Sequence, residues 1–503
     1  MKDETATKVV KSDKSTLDKD LDKIFRLETA TRTVSSSLMA HTSALIFLIA
    51  AGFLGAFFAG IETETTIIVF AAVLGGYMAL NIGANDVANN VGPAVGSKAM
   101  SIFAALLMAA VFESAGALLA GGDVVSTISK GIIDPKLVPD NNIFINAMMA
   151  ALLAAAIWVN LATILGAPVS TTHSVVGGVM GAGIAAVGFQ LVNWNTMAAI
   201  AASWVISPVL GGIIAASFLA FIKINLIYKE DKIAAANRWI PMLVAIMASA
   251  FACYLSIKGL KRVWKPELEI VALVGIITFV VVWLIMNPLI KRQSDGMENR
   301  NRSLRTLFKI PLICSAALLS FAHGANDVAN AIGPLAAILH SVEMGTITAK
   351  ALIPNWVMII GAFGISLGLF LYGPKLIRMV GNQITKMNPM RAYCVALSAA
   401  IAVIIASWLG LPVSSTHIAV GAVFGVGFYR EYFIRNSKIR KKIVSKTTAS
   451  NTTQKEQPTP SDMKYRRLVR RSHFLTIIAA WVITVPAAAI LSALIFFGMA
   501  AIN

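Results

Sequence analysis

The chain contains the stretch Gly83-Ala-Asn-Asp-Val-Ala-Asn-Asn-Val-Gly-Pro93 twice with little change, and this repeat is the strongest indication of its architecture. It returns 241 residues later as Gly324-Ala-Asn-Asp-Val-Ala-Asn-Ala-Ile-Gly-Pro334. A second stretch, Gly166-Ala-Pro-Val-Ser-Thr-Thr-His173, returns 244 residues later as Gly410-Leu-Pro-Val-Ser-Ser-Thr-His417. We call these stretches motif one and motif two. Two different motifs that recur in the same order indicate two copies of one structural unit.

The sequence around both motifs is apolar enough to lie in a membrane. Of the 503 residues, 57% are hydrophobic and 14% are charged, whereas about a quarter of a soluble chain is charged. About ten runs approach the roughly 20 apolar residues that cross a bilayer. The clearest are 38–60, 67–84, 100–122, 143–166, 196–222, 268–290, 354–373 and 474–501.

This pattern predicts an all-α polytopic membrane protein with about 11–12 spans. It also predicts two homologous repeats with broken helices and re-entrant helical hairpins, because Gly/Pro-interrupted segments at corresponding positions are typical of transporters. Identity between the repeats does not distinguish an inverted arrangement from a parallel one. A soluble protein with buried helices is the alternative, and it would need core helices of unusual length. We expect a multi-pass integral protein of the cell membrane.

The repeats and the charge pattern divide the chain into segments. The predicted segments are a polar N-terminal part (1–36), an extra span (37–65), the first transport repeat (66–222), connecting spans with a basic loop (223–309), the second transport repeat (310–429), a basic, flexible cytoplasmic insert (430–472) and a final span that completes the second repeat (473–503). The N-terminal part has no early apolar run and contains acids, so it is typical of neither a signal peptide nor a transit peptide.

The net charge of +18 is concentrated between the spans. The segment Arg430–Arg471 contains thirteen Lys and Arg residues against three acids. Cytoplasmic loops of membrane proteins carry such an excess, so we expect no nucleic-acid partner. The loop that contains Lys258, Lys261, Arg262 and Lys265 conflicts with this rule, since the other ends of its two flanking spans are basic too.

Motif one places acids and amides inside apolar segments. Asp86 and Asp327 have amide neighbours, which are Asn85, Asn89 and Asn90 in the first copy and Asn326 and Asn330 in the second. Carboxylate and amide oxygens suit a coupling cation, Na⁺ or H⁺, and we expect it at Asp86, Asn89, Asp327 and Asn330. The glycine that opens the motif and the Gly-Pro that closes it predict a broken or unwound helix with free carbonyls. The alternative is that each Asp only bonds neighbouring helices.

Motif two places hydroxyl groups at predicted helix starts. Ser and Thr cap helix N-termini, where free N–H groups and the helix dipole favour an anion. Two such starts that meet between the repeats would surround one tetrahedral oxyanion, and simple capping is the alternative. The donors would be Ser170, Thr171 and Thr172 with Ser414, Ser415 and Thr416. For His173 and His417 we expect a packing role, with a proton relay as the alternative.

Glu113 lies inside an otherwise apolar span and has no acidic counterpart in the second repeat, where it aligns near Ile365. An acid at membrane depth indicates either a functional ion site or a structural tether. We include Glu113 among the coupling-ion residues, with the tether as the alternative.

The paired Gly-Ala-Asn-Asp-Val-Ala-Asn and Pro-Val-Ser-(Ser/Thr)-Thr-His motifs resemble the inorganic phosphate transporter (Pit) family, over roughly residues 66–430 and 473–500. The resemblance implies cation-coupled symport of inorganic phosphate, an inverted repeat, discontinuous helices and a homodimer in the lipid bilayer. Asp86 and Asp327 match the family's essential acids, and the hydroxyl groups of motif two match its phosphate-contacting hairpins. Asn85 and Asn326 accompany the acids in the family motif, and we assign both to the phosphate site.

Two departures from the family leave the ion stoichiometry open. Several members carry a carboxylate where this chain has Ala396, and the second copy of motif one has Ala331 in place of Asn90. Members of the family use either Na⁺ or H⁺, and the Gly-Ala-Asn-Asp form is closer to the Na⁺-dependent members. We therefore favour Na⁺ at Asp86 and Asp327, and we expect no cofactor besides the coupling cation.

Three other functions are alternatives. A transporter of another oxyanion, such as sulfate, would ignore competing phosphate. A membrane enzyme with Ser170 or Ser414 as nucleophile and His173 or His417 as base would lack the third group that orients such a base, so we expect no enzyme. A passive channel would move its anion without dependence on any ion gradient.

Overall fold

The chain is almost entirely helical in a computed structural model, which describes residues 16–60, 65–134, 137–165, 169–259, 266–344, 353–383, 387–436 and 471–502. Those residues form fifteen α-helices and no β-strand. The helices are α1 (Thr16–Ala59), α2 (Thr65–Gly96), α3 (Ile102–Ala120), α4 (Gly122–Lys130), α5 (Asn141–Leu165), α6 (Thr171–Val187), α7 (Trp194–Ile222), α8 (Lys232–Lys258), α9 (Leu268–Ser294), α10 (Asn301–Leu307), α11 (Lys309–Met344), α12 (Asn355–Gln383), α13 (Pro389–Trp408), α14 (Ser415–Asn436) and α15 (Arg471–Ile502).

Eleven of these helices contain a stretch that is long and apolar enough to cross a membrane. The other four are α4, α6, α10 and α14, of which α6 is apolar but only 17 residues long. The predicted extra N-terminal span is the Leu38–Ala59 part of α1. The prediction of an all-α, multi-pass integral membrane protein is therefore confirmed.

The chain separates into two units, residues 1–47 and residues 48–503. The first unit contains the N-terminal part of α1. The second unit contains α2 to α15 and therefore both copies of both motifs.

Helices of each repeat pack against helices of the other repeat, and the two contacts are equivalent. A Cβ atom on Gly83 of α2 would lie 2.0 Å from the carbonyl oxygen of Ile365 on α12. A Cβ atom on the equivalent Gly324 of α11 would lie 2.0 Å from the carbonyl oxygen of Glu113 on α3. Only glycine allows two helix backbones to approach this closely. The first helix of each repeat is thus packed against the second helix of the other repeat.

The helices that begin in motif two make equivalent contacts with the opposite repeat in the same way. A Cβ atom on Gly181 of α6 would lie 2.2 Å from the carbonyl oxygen of Ala489 on α15. A Cβ atom on the equivalent Gly425 of α14 would lie 2.1 Å from the carbonyl oxygen of Gly212 on α7. Each hydroxyl-bearing helix is therefore held by the final helix of the opposite repeat.

The most buried spanning helix is α11 and the most exposed is α9. The most apolar part of α11 is 89% buried, whereas that of α9 is 11% buried. Apolar side chains of α9 such as Ile276 and Leu284 are more than half exposed, which suits a surface that faces lipid. In contrast, α11 packs against α2, α3, α4, α5 and α13. The second copy of motif one is therefore at the centre of residues 48–503.

Motif one does not break its helix, and that prediction is wrong. Both copies lie within continuous helices, since α2 extends over Thr65–Gly96 and α11 over Lys309–Met344. We had expected the glycines that open the motif to interrupt the helix. Gly83 and Gly324 instead provide the close contacts between the repeats.

The helices are broken at motif two instead. Residues 409–414, between α13 and α14, are not α-helical, and Gly410 has a φ of +70°. The equivalent break, between α5 and α6, includes residues 166–168, which lie outside the described part of the chain. Residues 437–470 of the insert that we predicted to be flexible also lie outside it. The described break therefore lies at motif two, between α13 and α14, and the re-entrant helical hairpins remain a prediction.

Lys258, one of the basic residues that conflicted with the positive-inside rule, has a local partner. Its Nζ forms an ion pair with Asp123 at the start of α4 and donates a hydrogen bond to the carbonyl oxygen of Trp408 at 3.1 Å. Its charge therefore serves a contact between helices. The other three basic residues of that loop lie outside the described residues.

Candidate functional site

Each copy of motif two begins a helix with a serine cap. Ser170 Oγ accepts the backbone N–H of His173 at 3.1 Å, and Ser414 Oγ accepts the backbone N–H of His417 at 3.3 Å. The hydroxyl residues of the first turn are also buried, and they are Thr171 and Thr172 in α6 and Ser415 and Thr416 in α14. Both predicted caps are therefore present, and both lie inside the protein.

The acids of motif one accept hydrogen bonds from these hydroxyl groups. Thr171 Oγ1 donates to Asp86 Oδ2 at 3.0 Å, and the equivalent Ser415 Oγ donates to Asp327 Oδ2 at 3.1 Å. Thr416 Oγ1 also donates to Asp86 Oδ1 at 3.0 Å, so Asp86 is bonded to both repeats. The two motifs, in both copies, thus meet at one buried site.

The amides of motif one connect the repeats to each other. Asn89 Nδ2 donates to Thr416 Oγ1 at 2.8 Å, and the equivalent Asn330 Nδ2 donates to Thr172 Oγ1 at 3.1 Å. Thr172 Oγ1 in turn donates to the carbonyl oxygen of Val413 at 2.9 Å. Each acid-bearing helix is therefore tied to the hydroxyl-bearing helix of the opposite repeat by an equivalent hydrogen bond.

Asn85 and Asn326 bond to the helices that precede the breaks. Asn85 Nδ2 donates to Thr163 Oγ1 at 2.9 Å, and Asn326 Nδ2 donates to Ser407 Oγ at 3.0 Å. Asn326 Oδ1 also accepts the N–H of Val413 at 3.1 Å, within the non-helical segment. These hydrogen bonds give Asn326 a role in fixing the path of the break, and a direct contact of either residue with the substrate remains a prediction.

Three positions at which the repeats differ form one network. Asn90 Nδ2 donates to Glu113 Oε1 at 2.8 Å. His323 Nδ1 lies 3.3 Å from the same oxygen of Glu113. Their counterparts in the other repeat are apolar and are Ala331, Ile365 and Ile82. The site is therefore symmetric in its acids, amides and hydroxyl groups, with one additional polar network on a single side.

His323 was not predicted from the sequence, and it links all three acids. Its Nε2 lies 2.9 Å from Asp327 Oδ2 and 3.8 Å from Asp86 Oδ2, while Nδ1 faces Glu113. The His323 side chain is completely buried. A titratable residue in the apolar run directly before motif one, in only one of the repeats, is the sequence signal that would have identified it.

Several buried oxygens at this site have no hydrogen-bond donor among the described residues. They are Asn85 Oδ1, Asn90 Oδ1, Glu113 Oε2, Asp327 Oδ1 and Asn330 Oδ1. Buried polar atoms are nearly always paired, so this group of acceptors requires a further partner, which a cation or water can provide. In addition, Asp86, His323 and Asp327 each provide one ligand atom within 4.8 Å of the others. This oxygen-rich set suits a hard cation.

Two prolines free further oxygens without unwinding the helices. Pro93 lies inside α2 and Pro334 inside α11. Because proline has no N–H, neither residue donates the helical hydrogen bond to the carbonyl oxygen four residues earlier. Those carbonyls belong to Asn89 and Asn330. Free carbonyls, which we had expected from an unwound helix, therefore arise within continuous ones.

Behind the caps, His173 and His417 form a pair at the boundary between the repeats. Their ring centroids are 4.5 Å apart with the rings nearly perpendicular, and the centroid of His173 is 3.8 Å from that of Trp204. Trp204 Nε1 donates to the carbonyl oxygen of Pro412 at 3.2 Å. These ring contacts agree with the packing role that we expected for both histidines.

The site places groups that can bind cations beside groups that can bind an anion. Carboxylate, amide and carbonyl oxygens of α2, α3 and α11 can hold cations. The N-termini of α6 and α14, with their hydroxyl groups, can donate to an oxyanion. Because the hydroxyl groups already contact the carboxylates, the two ligands would occupy neighbouring positions.

Comparison with known proteins gives the family of this chain. The family model for the phosphate transporter family matches residues 82–492. A protein named as a phosphate permease from Helicobacter pylori strain J99 is 46% identical over 95% of this chain and 98% of its own length. Another protein so named, from Pyrococcus furiosus, is 39% identical over 75% of this chain and 91% of its own length.

A solved structure of a sodium-dependent phosphate transporter has the same fold. It aligns with a TM-score of 0.76 and 34% identity, and the match covers 87% of this chain and 100% of that one. The matched proteins are transporters, in agreement with the expectation that this chain is not an enzyme. With a family model that matches most of its length and relatives that align nearly end to end, this chain belongs to the phosphate transporter family.

Proposed function

We propose that this protein moves inorganic phosphate across the cell membrane by symport with Na⁺. Membership of the phosphate transporter family supports phosphate as the substrate. One observation carries the proposal of coupling: hydroxyl groups at the starts of α6 and α14 donate to Asp86 and Asp327, beside buried oxygens that lack donors. The name of the structural neighbour, a sodium-dependent phosphate transporter, supports Na⁺ as the coupling cation.

Phosphate would bind between the N-termini of α6 and α14. The first-turn N–H groups of both helices and the positive ends of their dipoles favour an anion there. The hydroxyl donors would be Ser170, Thr171, Thr172, Ser414, Ser415 and Thr416. Ser170 and Ser414 accept backbone N–H groups, which leaves their own protons available for a phosphate oxygen.

The cation would bind beside the phosphate at the acids and amides of motif one. The ligands would come from Asp86, Asn89, Asp327 and Asn330, and Glu113 would act through the network that contains His323. An ionised Asp within the membrane costs about 3 kcal/mol, and this site contains two Asp residues with a buried Glu. Bound Na⁺ would offset this cost and would also lower the repulsion between the carboxylates and phosphate.

Three hydroxyl groups give a direct route for the coupling. Thr171, Ser415 and Thr416 each have one proton to donate, and in the structure each donates it to a carboxylate. A cation that binds Asp86 and Asp327 competes for the same carboxylate oxygens, so the hydroxyl groups become free to donate to phosphate. Cation binding therefore strengthens phosphate binding, and the reverse effect has the same size.

Transport would follow from alternating access at the interface between two inverted repeats. The reciprocal packing of α2 on α12 and of α11 on α3 supports a two-fold relation between the repeats. Many transporters with inverted repeats hold their substrate at such an interface and expose it to each side by rigid movement of one unit. The resemblance to the Pit family supports a homodimer, which mass measurement of the detergent-solubilised protein would test.

Uptake into proteoliposomes tests the proposed function. Radiolabelled phosphate is supplied outside, and a Na⁺ gradient or an H⁺ gradient is imposed, one at a time. We expect accumulation only with the Na⁺ gradient, with inhibition by unlabelled phosphate and none by sulfate. Accumulation with the H⁺ gradient alone would show that the coupling cation is H⁺ and not Na⁺. Equilibration of phosphate without any gradient would indicate a channel. Failure to accumulate labelled phosphate, with Na⁺-driven accumulation of labelled sulfate instead, would indicate a transporter of another oxyanion.

A further inference from the structure

Three arginines converge where α10, α13 and α14 meet. They are Arg305 near the end of α10, Arg391 in the first turn of α13 and Arg430 near the end of α14. Their immediate neighbours in the chain, Leu304, Met390 and Tyr429, all pack in one hydrophobic cluster. At the helical rise per residue, Arg391 lies about 25 Å from the end of α13 that leads into motif two. The three arginines are therefore separate from the proposed transport site.

The helices that carry the three arginines are packed together, since α13 contacts both α10 and α14. Arg391 and Arg430 are half-buried, whereas Arg305 is exposed at the edge of the group. Arg430 also shares its helix face with Val426 and Phe433, which are buried, so its stem extends toward the protein.

These three arginines have no ion-pair partner in the described part of the chain. Neither a carboxylate nor an aromatic ring there pairs with any of the three guanidinium groups. Lys223 nearby differs, because its Nζ lies 3.9 Å from the ring centroid of Phe433 and 5.0 Å from that of Tyr429. Like charges that lie close together at half-buried positions repel each other. A bound anion would remove this repulsion.

We propose that Arg305, Arg391 and Arg430 form a second anion site, which takes a phosphate group from an acidic phospholipid or from free phosphate. Guanidinium groups match phosphate oxygens with two parallel hydrogen bonds, and basic pockets between membrane helices bind acidic headgroups. Arg391 is in the first turn of a membrane-spanning helix, which is where headgroup phosphates lie. The site uses none of the residues of the two motifs.

Native mass spectrometry of the detergent-purified full chain tests this site. The probe is short-chain phosphatidylglycerol, with short-chain phosphatidylcholine as the comparison, since choline cancels the charge of its phosphate. The double variant Arg305→Gln/Arg430→Gln leaves the half-buried Arg391 in place. The control is Arg302→Gln/Arg435→Gln, which removes two exposed arginines from the same two helices. Matching elution profiles and melting temperatures would show that both variants fold.

We expect the wild type and the control to bind phosphatidylglycerol in preference to phosphatidylcholine. The double variant should bind phosphatidylglycerol roughly 30-fold more weakly, because each basic side chain near a membrane surface contributes about fivefold. Displacement of the lipid by inorganic phosphate would show that the site also takes free phosphate, and retention of the lipid would show that it takes the headgroup. Equal binding of phosphatidylglycerol by the double variant and the control, or equal binding of both lipids by the wild type, would overturn the proposal.

Discussion

The change Asp327→Asn gives the sharpest test of the cation site. It keeps the size of the side chain and one oxygen acceptor, but it removes one negative charge. In the structure Asp327 Oδ2 accepts the hydroxyl proton of Ser415 and lies 2.9 Å from His323 Nε2, while Oδ1 has no donor. Asn can keep the bond to Ser415, so the expected loss is specific to the cation.

The size of this loss follows from the charge removed. Two opposite unit charges about 4 Å apart, at an effective dielectric constant of about 20, attract each other by about 4 kcal/mol. The amide oxygen retains a part of this, so we expect a loss of about 3 kcal/mol in Na⁺ binding. That loss corresponds to a rise of roughly 150-fold in the Na⁺ concentration for half-maximal phosphate uptake.

The assay is Na⁺-dependent phosphate uptake in proteoliposomes, at equal reconstituted protein. Asp123→Asn is the matched control, because it makes the same substitution at an acid that pairs with Lys258. The control should keep the Na⁺ dependence of the wild type within about twofold, as is usual for a change outside the site. If Asp327→Asn behaves like Asp123→Asn, then Asp327 does not bind the coupling cation and the reasoning fails.

Three further changes test individual contacts. Thr416→Val removes the hydroxyl partner of the buried Asp86 and of the half-buried Asn89, and it should lower phosphate uptake at least roughly 30-fold, from about 2 kcal/mol or more. Thr416→Ser should restore most of the uptake. Ser217→Ala, which removes an exposed hydroxyl bonded within its own helix, should have no effect. Gly324→Ala places a Cβ atom 2.0 Å from a backbone oxygen of α3. It should lower the melting temperature through an overpacking cost of about 1–3 kcal/mol or more. The control Gly498→Ala, whose new Cβ atom would have nothing within 4 Å, should leave the melting temperature unchanged. Asn326→Ala removes three hydrogen bonds that fix the break before α14 and should destabilise the protein by about 3 kcal/mol; an unchanged melting temperature would exclude its structural role.

The meeting of the two motifs was predictable because the sequence contains each of them twice. A buried acid such as Asp86 needs donors, and a helix start capped by Ser170 provides them, so two copies of each favour one shared interface. The structure places them there, with Thr171 on Asp86 and Ser415 on Asp327. Complementary chemistry within duplicated segments was sufficient for this inference.

The continuity of α2 and α11 was not predictable from the residues of motif one alone. Glycine and proline are typical of helix breaks, but each has a second use inside a membrane protein. Gly83 allows the approach of α12, and Pro93 costs a single helical hydrogen bond, at Asn89. Which use applies depends on a neighbouring helix that lies more than two hundred residues away in the sequence, here at Ile365.

The network of Asn90, Glu113 and His323 depends on the same long-range packing. Glu113 was a candidate without a known partner, because it is on α3 and has no counterpart in the second repeat. The close contact of Gly324 with the backbone of Glu113 brings α11 against α3 and places His323 beside the acid. A single sequence shows the presence of these side chains, and only the packing of the two repeats shows that they meet.

Equilibrium binding shows whether the cation and phosphate sites are coupled through shared hydroxyl groups. Radiolabelled phosphate binding to the purified protein is measured as Na⁺ replaces K⁺ at constant ionic strength. The account predicts that Na⁺ tightens phosphate binding by roughly 10- to 100-fold, within the usual range of coupling free energies, and that saturating phosphate tightens Na⁺ binding by the same factor. A phosphate affinity that is the same in Na⁺ and in K⁺ would contradict it.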